Sequence, residues 1–498
     1  VAILDVLGAQ VAARGNRPFL RHGGRDVSYA ELDRLANRAA HALGGLGVEK
    51  GDRVTLALGN SLDYVTSAFG ALKAGAILHP VNPGLGAAEL GYVLGHAEPR
   101  VVVTSAEYAT QVRGAAPAVR LASWDGAPGT EALAARTEAA PDGPPPVAIG
   151  AKDYSTLLYT SGTTGRPKGV LFTHGRSGTS GPHFIAAMGL VPDDVILAVT
   201  PLFHGNAWGA VTTALYAGGT AAFPRAFSAS EFWPLVHETR ATVVFTLGTV
   251  LAMLLTREPS ALERTNPLRI ILGLGSATIR DRVIERFGVT DVLECFGSTD
   301  AGVVTITPRG EPPRPGSCGP AVPGVTLKIV GEDGRPLPPR QPGEILVESP
   351  ARMAAYFRDP DETARALRDG WFATGDLGWL DEDGWLYFVD RKRDVIRRGG
   401  ENVSSALVEK TLREHPAVAE AAVIGVPDPV LGQEIMAYVV AKSPVTAEEL
   451  QAFAAARLAK FQVPRRWEFR DALPKTPTQR VEKYKLRAEH GGGGPLVG

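Results

Sequence analysis

Across its first three quarters the chain alternates short apolar runs with longer amphipathic ones, and that rhythm limits its folds more than any other feature. Val54–Leu58, Val101–Thr104, Leu157–Thr160, Val195–Val199, Thr242–Thr246 and Ile270–Leu272 read as strands. Glu31–Leu46, Leu62–Lys73, Ala229–Arg240 and Ile279–Phe287 read as helices. Such alternation implies sheets covered by helices on their faces. The stretch from Val195 to Pro224 carries no Asp, Glu, Lys or Arg. Pro201, His204, Asn206, Gly218 and Gly219 interrupt it, and backbone exposed to lipid is prohibitive. It therefore reads as a buried strand, loop and helix, and no membrane span is expected.

Two changes of texture mark the organisation. Between Ala115 and Asp153 the chain turns Ala-, Pro- and Gly-rich and ends in Pro141-Asp142-Gly143-Pro144-Pro145-Pro146, which reads as a surface connection between two lobes. After Pro308 the pattern becomes β-rich, and Trp371 to Val389 reads as a hairpin around Asp381-Glu382-Asp383-Gly384. From Arg391 onward shorter patterns form a unit of about 100 residues. The expected class is α/β. Its large N-terminal region, 1–390, consists of packed α/β subdomains with a β-rich subdomain over about 309–390, followed by a small α+β C-terminal domain, 391–498. The Gly-rich end, 491–498, reads as a tail without function.

A length of 498 residues agrees with about three units. With 52 Lys+Arg against 53 Asp+Glu the net charge is -1, which lacks the basic excess that bulk binding to nucleic acid or an anionic membrane needs. Cys295 and Cys318 are too few for a disulfide framework or a multi-thiolate metal site. The opening Val1-Ala2-Ile3-Leu4-Asp5 lacks the marks of a signal peptide, so a cytoplasmic enzyme is expected.

The densest chemical signal is Tyr159-Thr160-Ser161-Gly162-Thr163-Thr164-Gly165-Arg166-Pro167-Lys168-Gly169-Val170, which leaves an apolar strand. Its glycines allow the backbone to approach a bulky anion, and Ser161, Thr163 and Thr164 add hydroxyl donors. Lys168 adds a charge able to follow β- and γ-phosphates. The string departs from GxxxxGK[ST] yet holds every residue type that a phosphate cradle needs.

This string, with others that follow it in order, resembles the adenylate-forming acyl-CoA synthetases, a family related to peptide-synthetase adenylation domains and firefly luciferase. The resemblance covers nearly the whole chain. Pro201-Leu202-Phe203-His204-Gly205 is similar to the family's acyl-pocket motif, and Gly273-Leu274-Gly275-Ser276-Ala277 to its adenine-side strand end. Phe296-Gly297-Ser298-Thr299-Asp300 resembles the segment written YGxTE, Trp371-Phe372-Ala373-Thr374-Gly375-Asp376 the ribose segment, and Asp390-Arg391-Lys392-Arg393-Asp394 the hinge.

The resemblance implies that ATP and a carboxylic acid form an acyl-adenylate on the large region. The mobile C-terminal domain then rotates to present coenzyme A. It implies nucleotide contacts from Thr160, Ser161, Gly162, Thr163, Thr164, Gly275, Ser276, Ala277, Gly297 and Thr299. Phe296 would stack on adenine, Asp376 would hold the ribose, and Arg391 would reach the ribose or α-phosphate. Thr164, Lys168, His204 and Arg480 fall at catalytic positions, with His204 favoured as a wall or gate over a general base. The acyl pocket would draw on His204, Gly205, Asn206, Trp208, Gly209, Gly248, Gly273, Gly297 and Ser298, leaving room for a bulky alicyclic, aryl or medium-to-long acyl group. Gly399, Gly400 and Glu401 would line the pantetheine path, Arg398 would meet coenzyme A phosphates unless it is simply solvated, and Arg393 would be the hinge.

Two positions depart from the family pattern. The catalytic lysine belongs to a segment PKTxTGKVxKxxL, but here Gln479-Arg480 stands where Gly-Lys is expected. A planar fork replaces a compact point charge. Asp300 replaces the Glu that helps to hold Mg²⁺, and a shorter arm matters to an ion with ligands near ~2.1 Å. Both changes fall on adenylation, so the expectation is an enzyme best at converting acyl-AMP, supplied by a separate adenylating enzyme, to acyl-CoA. Three alternatives stay open: a complete ligase in which Arg480, Lys483 or Lys485 does the lysine's work, transfer to a carrier-protein thiol, and a catalytically silent nucleotide-binding protein. The oligomeric state is not readable.

Overall fold

A computed structural model of the chain describes residues 2–160, 167–176, 181–276, 279–289, 291–312, 314–392, 394–398, 401–475 and 481–490. It is mixed α/β and divides into two compact units. The first comprises Val1–Ser161, Pro167–Thr326 and Val347–Phe372; the second comprises Gly162–Arg166, Leu327–Leu346 and Ala373–Gly498.

The first unit contains two large sheets. One runs in the order Asp291–Leu293, Ile270–Leu274, Val243–Leu247, Val195–Ala198, Thr220–Ala222, Pro18–His22 and Arg25–Ser28. Every neighbouring pair is parallel except the last. The other sheet centres on the parallel strands Ile77–Pro80, Arg53–Ala57, Val101–Thr104 and Leu121–Ser123. Its far edge turns antiparallel through Tyr154–Thr160, Lys168–Thr173 and Ala355–Tyr356. Val101–Thr104 is buried at every position, as expected for a parallel strand covered on both faces. That requirement is why the strands are legible as unbroken apolar runs.

Helices Tyr29–Gly45 and Leu62–Lys73 start on serine caps: Ser28 accepts from the Glu31 N–H and Ser61 from the Tyr64 N–H. They pack so closely that a Cβ on Gly70 would stand 2.7 Å from that of Ala39. The loop entering the second of them fastens the two sheets together. Asn60 Nδ2 donates to the carbonyls of Thr200 (3.3 Å) and Pro224 (3.0 Å), and its Oδ1 accepts from the Leu202 N–H at 2.7 Å. Tyr64 Oη donates to the Leu202 carbonyl at 3.2 Å. These bonds fix the approach to His204.

The stretch from Val195 to Pro224 forms the strand Val195–Ala198, the helix Gly205–Ala217 and the further strand Thr220–Ala222. The segment 115–153 differs from its sequence reading as a surface connection. Leu121–Ser123 and Glu131–Ala132 extend the second sheet, and Leu133–Glu138 is helical. The open edge beside Val101–Thr104 pairs with whatever strand reaches it, so small-residue composition is overridden by backbone hydrogen bonding.

The second unit holds a five-stranded sheet in which Val418–Asp428 and Gly432–Ala441 form a long hairpin, with Arg466–Phe469 parallel to the latter. Val408 and Leu412 of helix Ser405–Arg413 join Ile396, Val423, Ile435 and Leu450 in its core. From Ala373 onward the unit also holds the hairpin in which Trp371–Leu380 pairs with Leu386–Arg391, with Asp376 opposite Arg391. Asp390, buried, accepts from Ser405 Oγ (2.9 Å), the Ala406 N–H (3.1 Å) and the Arg391 N–H (2.7 Å), tying that hairpin to the helix. The tail 491–498 lies outside the described residues.

His79 makes the fold sensitive to acid. It lies fully buried in the strand Ile77–Pro80, with Nδ1 2.7 Å from Thr55 Oγ1 and Nε2 without a partner among the described residues. Burial, aided by the Arg53 and His96 charges, pushes its pKa down to about 3. The unfolded chain then takes up a proton near the ordinary value of 6.5 that the folded chain refuses. The stabilising effect is full above that pH and is lost as pH falls. Between pH 7 and pH 5 this group accounts for a loss of about 2 kcal/mol. Urea unfolding at the two pH values is expected to show a smaller acid loss for His79→Leu than for the wild type.

Candidate active site

The phosphate motif begins on a hairpin of the first unit, in which Thr160 pairs with Lys168 and Tyr159 with Gly169. Ser161, Gly162, Thr163 and Thr164 lie outside the described residues. The Lys168 ammonium is ion-paired with Glu362 and sits 5.4 Å from the centre of the Tyr356 ring. Although burial works against it, Glu362 keeps its carboxyl below the usual range because Lys168 and Arg365 face it. Tyr356 Oη in turn donates to Asp300 Oδ1 at 2.8 Å. Burial and the Asp300 charge push that phenol up, so it remains a donor. Lys168 and the acid position Asp300 thus belong to one charged cluster.

A second cluster forms at the strand end expected to face adenine. The strand Ile270–Leu274 ends at Gly275, whose φ of +76° suits glycine. The buried Glu294 carboxylate accepts the N–H groups of Gly275 (2.7 Å) and Ser276 (2.6 Å) and that of Cys295 at 3.1 Å. Ser276 Oγ lies 2.7 Å from the Gly273 carbonyl. A Cβ on Gly248 would stand 2.2 Å from the Gly275 oxygen, so the helix Gly248–Leu255 starts against this bend. Gly273 packs against Leu251 and Ser276. Beyond Glu294, the strand Cys295–Ser298 carries Phe296, nearly buried, and Gly297, where a Cβ would come within 2.4 Å of the Gly302 oxygen. Ser298 Oγ accepts from the Ala301 N–H at 3.1 Å, which shapes the turn holding Thr299 and Asp300. Gly248, Gly273, Gly275, Ser276 and Phe296 are therefore brought to one place. Ala277 lies outside the described residues.

His204 stands at the N-cap position of the helix Gly205–Ala217 without a side-chain capping bond, its ring 4.6 Å from that of Phe203. Its Nε2 is buried without a partner among the described residues, and burial lowers its pKa to about 4. Asn206 Oδ1 accepts from Thr200 Oγ1 at 3.0 Å, and Nδ2 lies 3.5 Å from the Thr246 carbonyl, so this amide is engaged by its own unit. Trp208 packs on Tyr64 and Phe69, with ring centres 6.3 and 5.8 Å away. Gly205 and Gly209, one turn apart, have open space where a Cβ would stand.

In the second unit, Asp376 is buried, its N–H bonded to Thr374 Oγ1, and its carboxylate is 3.6 Å from the Arg391 guanidinium. Arg398 forks onto both oxygens of Glu434 at 2.6 and 2.8 Å. Lys392 pairs with Glu344, and the exposed Arg397 with Glu332. Glu401 is exposed on the strand Glu401–Val403. Arg393, Gly399, Gly400 and Arg480 lie outside the described residues. The described lysines flanking position 480 are all paired. Lys475 meets Glu420 at 2.7 Å, Lys483 meets Glu409 (2.6 Å) and Ser405 (2.7 Å), and Lys485 meets Glu482 at 2.5 Å.

Against known families, residues 7–357 match the AMP-binding enzyme model and residues 407–480 match the AMP-binding enzyme C-terminal domain. The chain belongs to the AMP-binding enzyme family. It is 36% identical over 480 residues to a feruloyl-CoA synthase of an Amycolatopsis species, covering 95% of this chain and 96% of that protein. It is 34% identical to the fatty acid–[acyl-carrier-protein] ligase ScoC of Streptomyces coeruleorubidus, covering 93% and 92%. Its fold superimposes with a TM-score of 0.90 on the anthranilate CoA ligase AuaEII in complex with anthranoyl-AMP, at 27% identity and coverage of 99% and 97%.

For this AMP-binding enzyme, sequence reasoning missed Glu294, Tyr356 and Glu362. Glu294 had a signal: an acidic residue inside the apolar run Val292-Leu293-Glu294-Cys295-Phe296 must have buried donors. Tyr356 and Glu362 had none, since only the fold brings them to Lys168. Glu294→Gln places an amide NH₂ where N–H donors already converge. Urea unfolding is expected to register a loss of about 2 kcal/mol, and calorimetry a weaker affinity for AMP. Unchanged values would show that the carboxylate's charge is dispensable.

Proposed function

We propose that this AMP-binding enzyme is an acid–thiol ligase working through an acyl-adenylate, with the thioester-forming half intact and adenylation impaired. In the first half a carboxylate oxygen attacks the α-phosphorus of ATP and pyrophosphate leaves. In the second the coenzyme A sulfur attacks the acyl carbon, AMP departs and the thiol proton passes to solvent. Family membership along both parts of the chain supports the overall reaction. The impairment rests on one observation: Arg480 stands at the lysine position, and the described lysines nearby are committed to partners. Recruiting Lys483 would take its ammonium from the half-buried Glu409, which would keep the Val423 N–H as a donor.

The roles follow from the chemistry of each group. Glu294 shapes the adenine bend, Phe296 stacks on the base, and Asp376 with Arg391 binds ribose and α-phosphate. Thr160, Ser161, Gly162, Thr163, Thr164 and Lys168 meet the β- and γ-phosphates. One carboxylate beside phosphate oxygens and water is an ordinary Mg²⁺ donor set; Asp300, one oxygen of which accepts from Tyr356 Oη, has the chemistry for it on an arm one methylene shorter than Glu, and the ion would neutralise phosphate charge. His204 is neutral at pH 7 and, with a pKa about 4, a poor base, which favours a pocket wall. The open space at Gly205 and Gly209 supports a bulky aryl, alicyclic or longer acyl group. Gly399, Gly400 and Glu401 line the pantetheine path after rotation of 391–498 about Arg393. A second reading, delivery to a carrier-protein thiol, is favoured by the likeness to the Streptomyces carrier-protein ligase.

Mass spectrometry of both half-reactions over a panel of acids and their adenylates tests the proposal. Acyl-CoA is expected from supplied acyl-AMP, with pyrophosphate release from ATP and the same acid at least tenfold slower. Arg480→Lys is expected to raise adenylation about tenfold, or 1.4 kcal/mol of barrier, and to leave the thiol step unchanged. Pyrophosphate release as fast as thioesterification in the wild type sinks the impairment. Acylation of a phosphopantetheinyl carrier, without acylation of free coenzyme A, favours the second reading.

A further inference from the structure

We propose that Tyr356 is a positioning residue for the Asp300 carboxylate: its hydroxyl fixes the direction of the short arm expected to hold Mg²⁺. The inference rests on the reading of Asp300 as the metal acid and adds a residue that the sequence motifs leave without a role.

Asp300 lies in the turn between the strands Cys295–Ser298 and Gly302–Ile306. One short segment holds that turn at two points. The Met353 N–H donates to the Asp300 carbonyl at 2.7 Å, and Tyr356 Oη donates to Asp300 Oδ1 at 2.8 Å. Main chain and carboxylate of the same residue are therefore gripped by donors from one stretch of backbone.

That stretch has little freedom of its own. Met353 is fully buried, and Arg176 donates to the carbonyls of Arg352 (3.1 Å) and Met353 (2.9 Å). The Ala354 N–H bonds to the Leu171 carbonyl and the Phe357 N–H to the Gly169 carbonyl, each at 2.7 Å. Between them Tyr356 pairs with Val170 on the strand that begins at Lys168. Its own N–H donates to Thr363 Oγ1 of the helix Pro360–Ala366 at 2.9 Å. The phenol thus reaches Asp300 from a backbone that is bonded on both sides, with its ring 5.4 Å from the Lys168 ammonium.

A carboxylate that ligates a metal is commonly hydrogen-bonded itself, and such partners orient it. Mg²⁺ demands near-ideal ligand geometry. Aspartate has one rotatable bond fewer than glutamate, so holding its carbonyl and one oxygen sets the direction of the whole arm. A ligand that carries no metal, such as AMP, gains nothing from that setting.

The test is calorimetric binding of β,γ-imido-ATP, in saturating Mg²⁺ and in EDTA, and of AMP. The proteins are full-length wild type, Tyr356→Phe, Asp300→Asn and the double variant, with thermal melting measured alongside. Tyr356→Phe keeps the ring beside Lys168 and removes only the hydroxyl. It is expected to weaken the Mg²⁺ complex of imido-ATP about tenfold, and to leave metal-free imido-ATP and AMP within about twofold. In the Asp300→Asn background the same change is expected to cost about twofold or less, because the carboxylate it orients is gone. A general structural role predicts instead that AMP, metal-free imido-ATP and the melting temperature fall together, and that the loss persists beside Asp300→Asn. That result, or an unchanged affinity of Tyr356→Phe for the Mg²⁺ complex, overturns the inference. A wild type that holds the Mg²⁺ complex no better than Asp300→Asn defeats the metal-acid reading and the inference with it. A wild type that needs Asp300 for that complex and is indifferent to Tyr356→Phe defeats the inference alone.

Discussion

The carboxylate of Glu294 sets the geometry on which the candidate site depends. It is buried, and it accepts N–H groups from the end of one strand and the start of another. A buried charge without donors is very costly, so the bend at Gly275 and Ser276 and the strand Cys295–Ser298 are stable only together. Gly248 then packs its backbone against the same bend. One acid thus joins two separate stretches of chain, and a third packs against them.

Much of this architecture is written in local pattern. Strands buried on both faces must be apolar throughout, which is why Val101–Thr104 can be read to the residue; the helix Leu62–Lys73 is equally legible because a long apolar run follows its Ser61 cap. The segment 115–153 misleads because its strands Leu121–Ser123 and Glu131–Ala132 are selected by an open sheet edge, not by side-chain preference. At the site, residue type is legible and engagement is not. Lys168 reads as a cation for phosphate, and only the fold shows Glu362, 194 residues away, beside it. Trp208 reads as a pocket wall, and in the fold its ring lies against Tyr64 and Phe69. Spacing in sequence carries no record of such partners.

The buried histidines illustrate how environment redefines a residue. His79 and His204 are both kept neutral by burial, yet one sits inside a strand and the other stands at the N-cap position of a helix. Neither has the basicity usually associated with imidazole. Their chemistry is that of polar packing groups.

The cations between Arg391 and Arg398 carry a kinetic meaning. Arg391, Lys392, Arg397 and Arg398 each face a carboxylate already. Seen from beyond a Debye length of about 8 Å, such pairs cancel. These four pairs therefore add little to any long-range attraction of a polyanion. An anion arriving at Arg398 would have to compete with Glu434 for its fork.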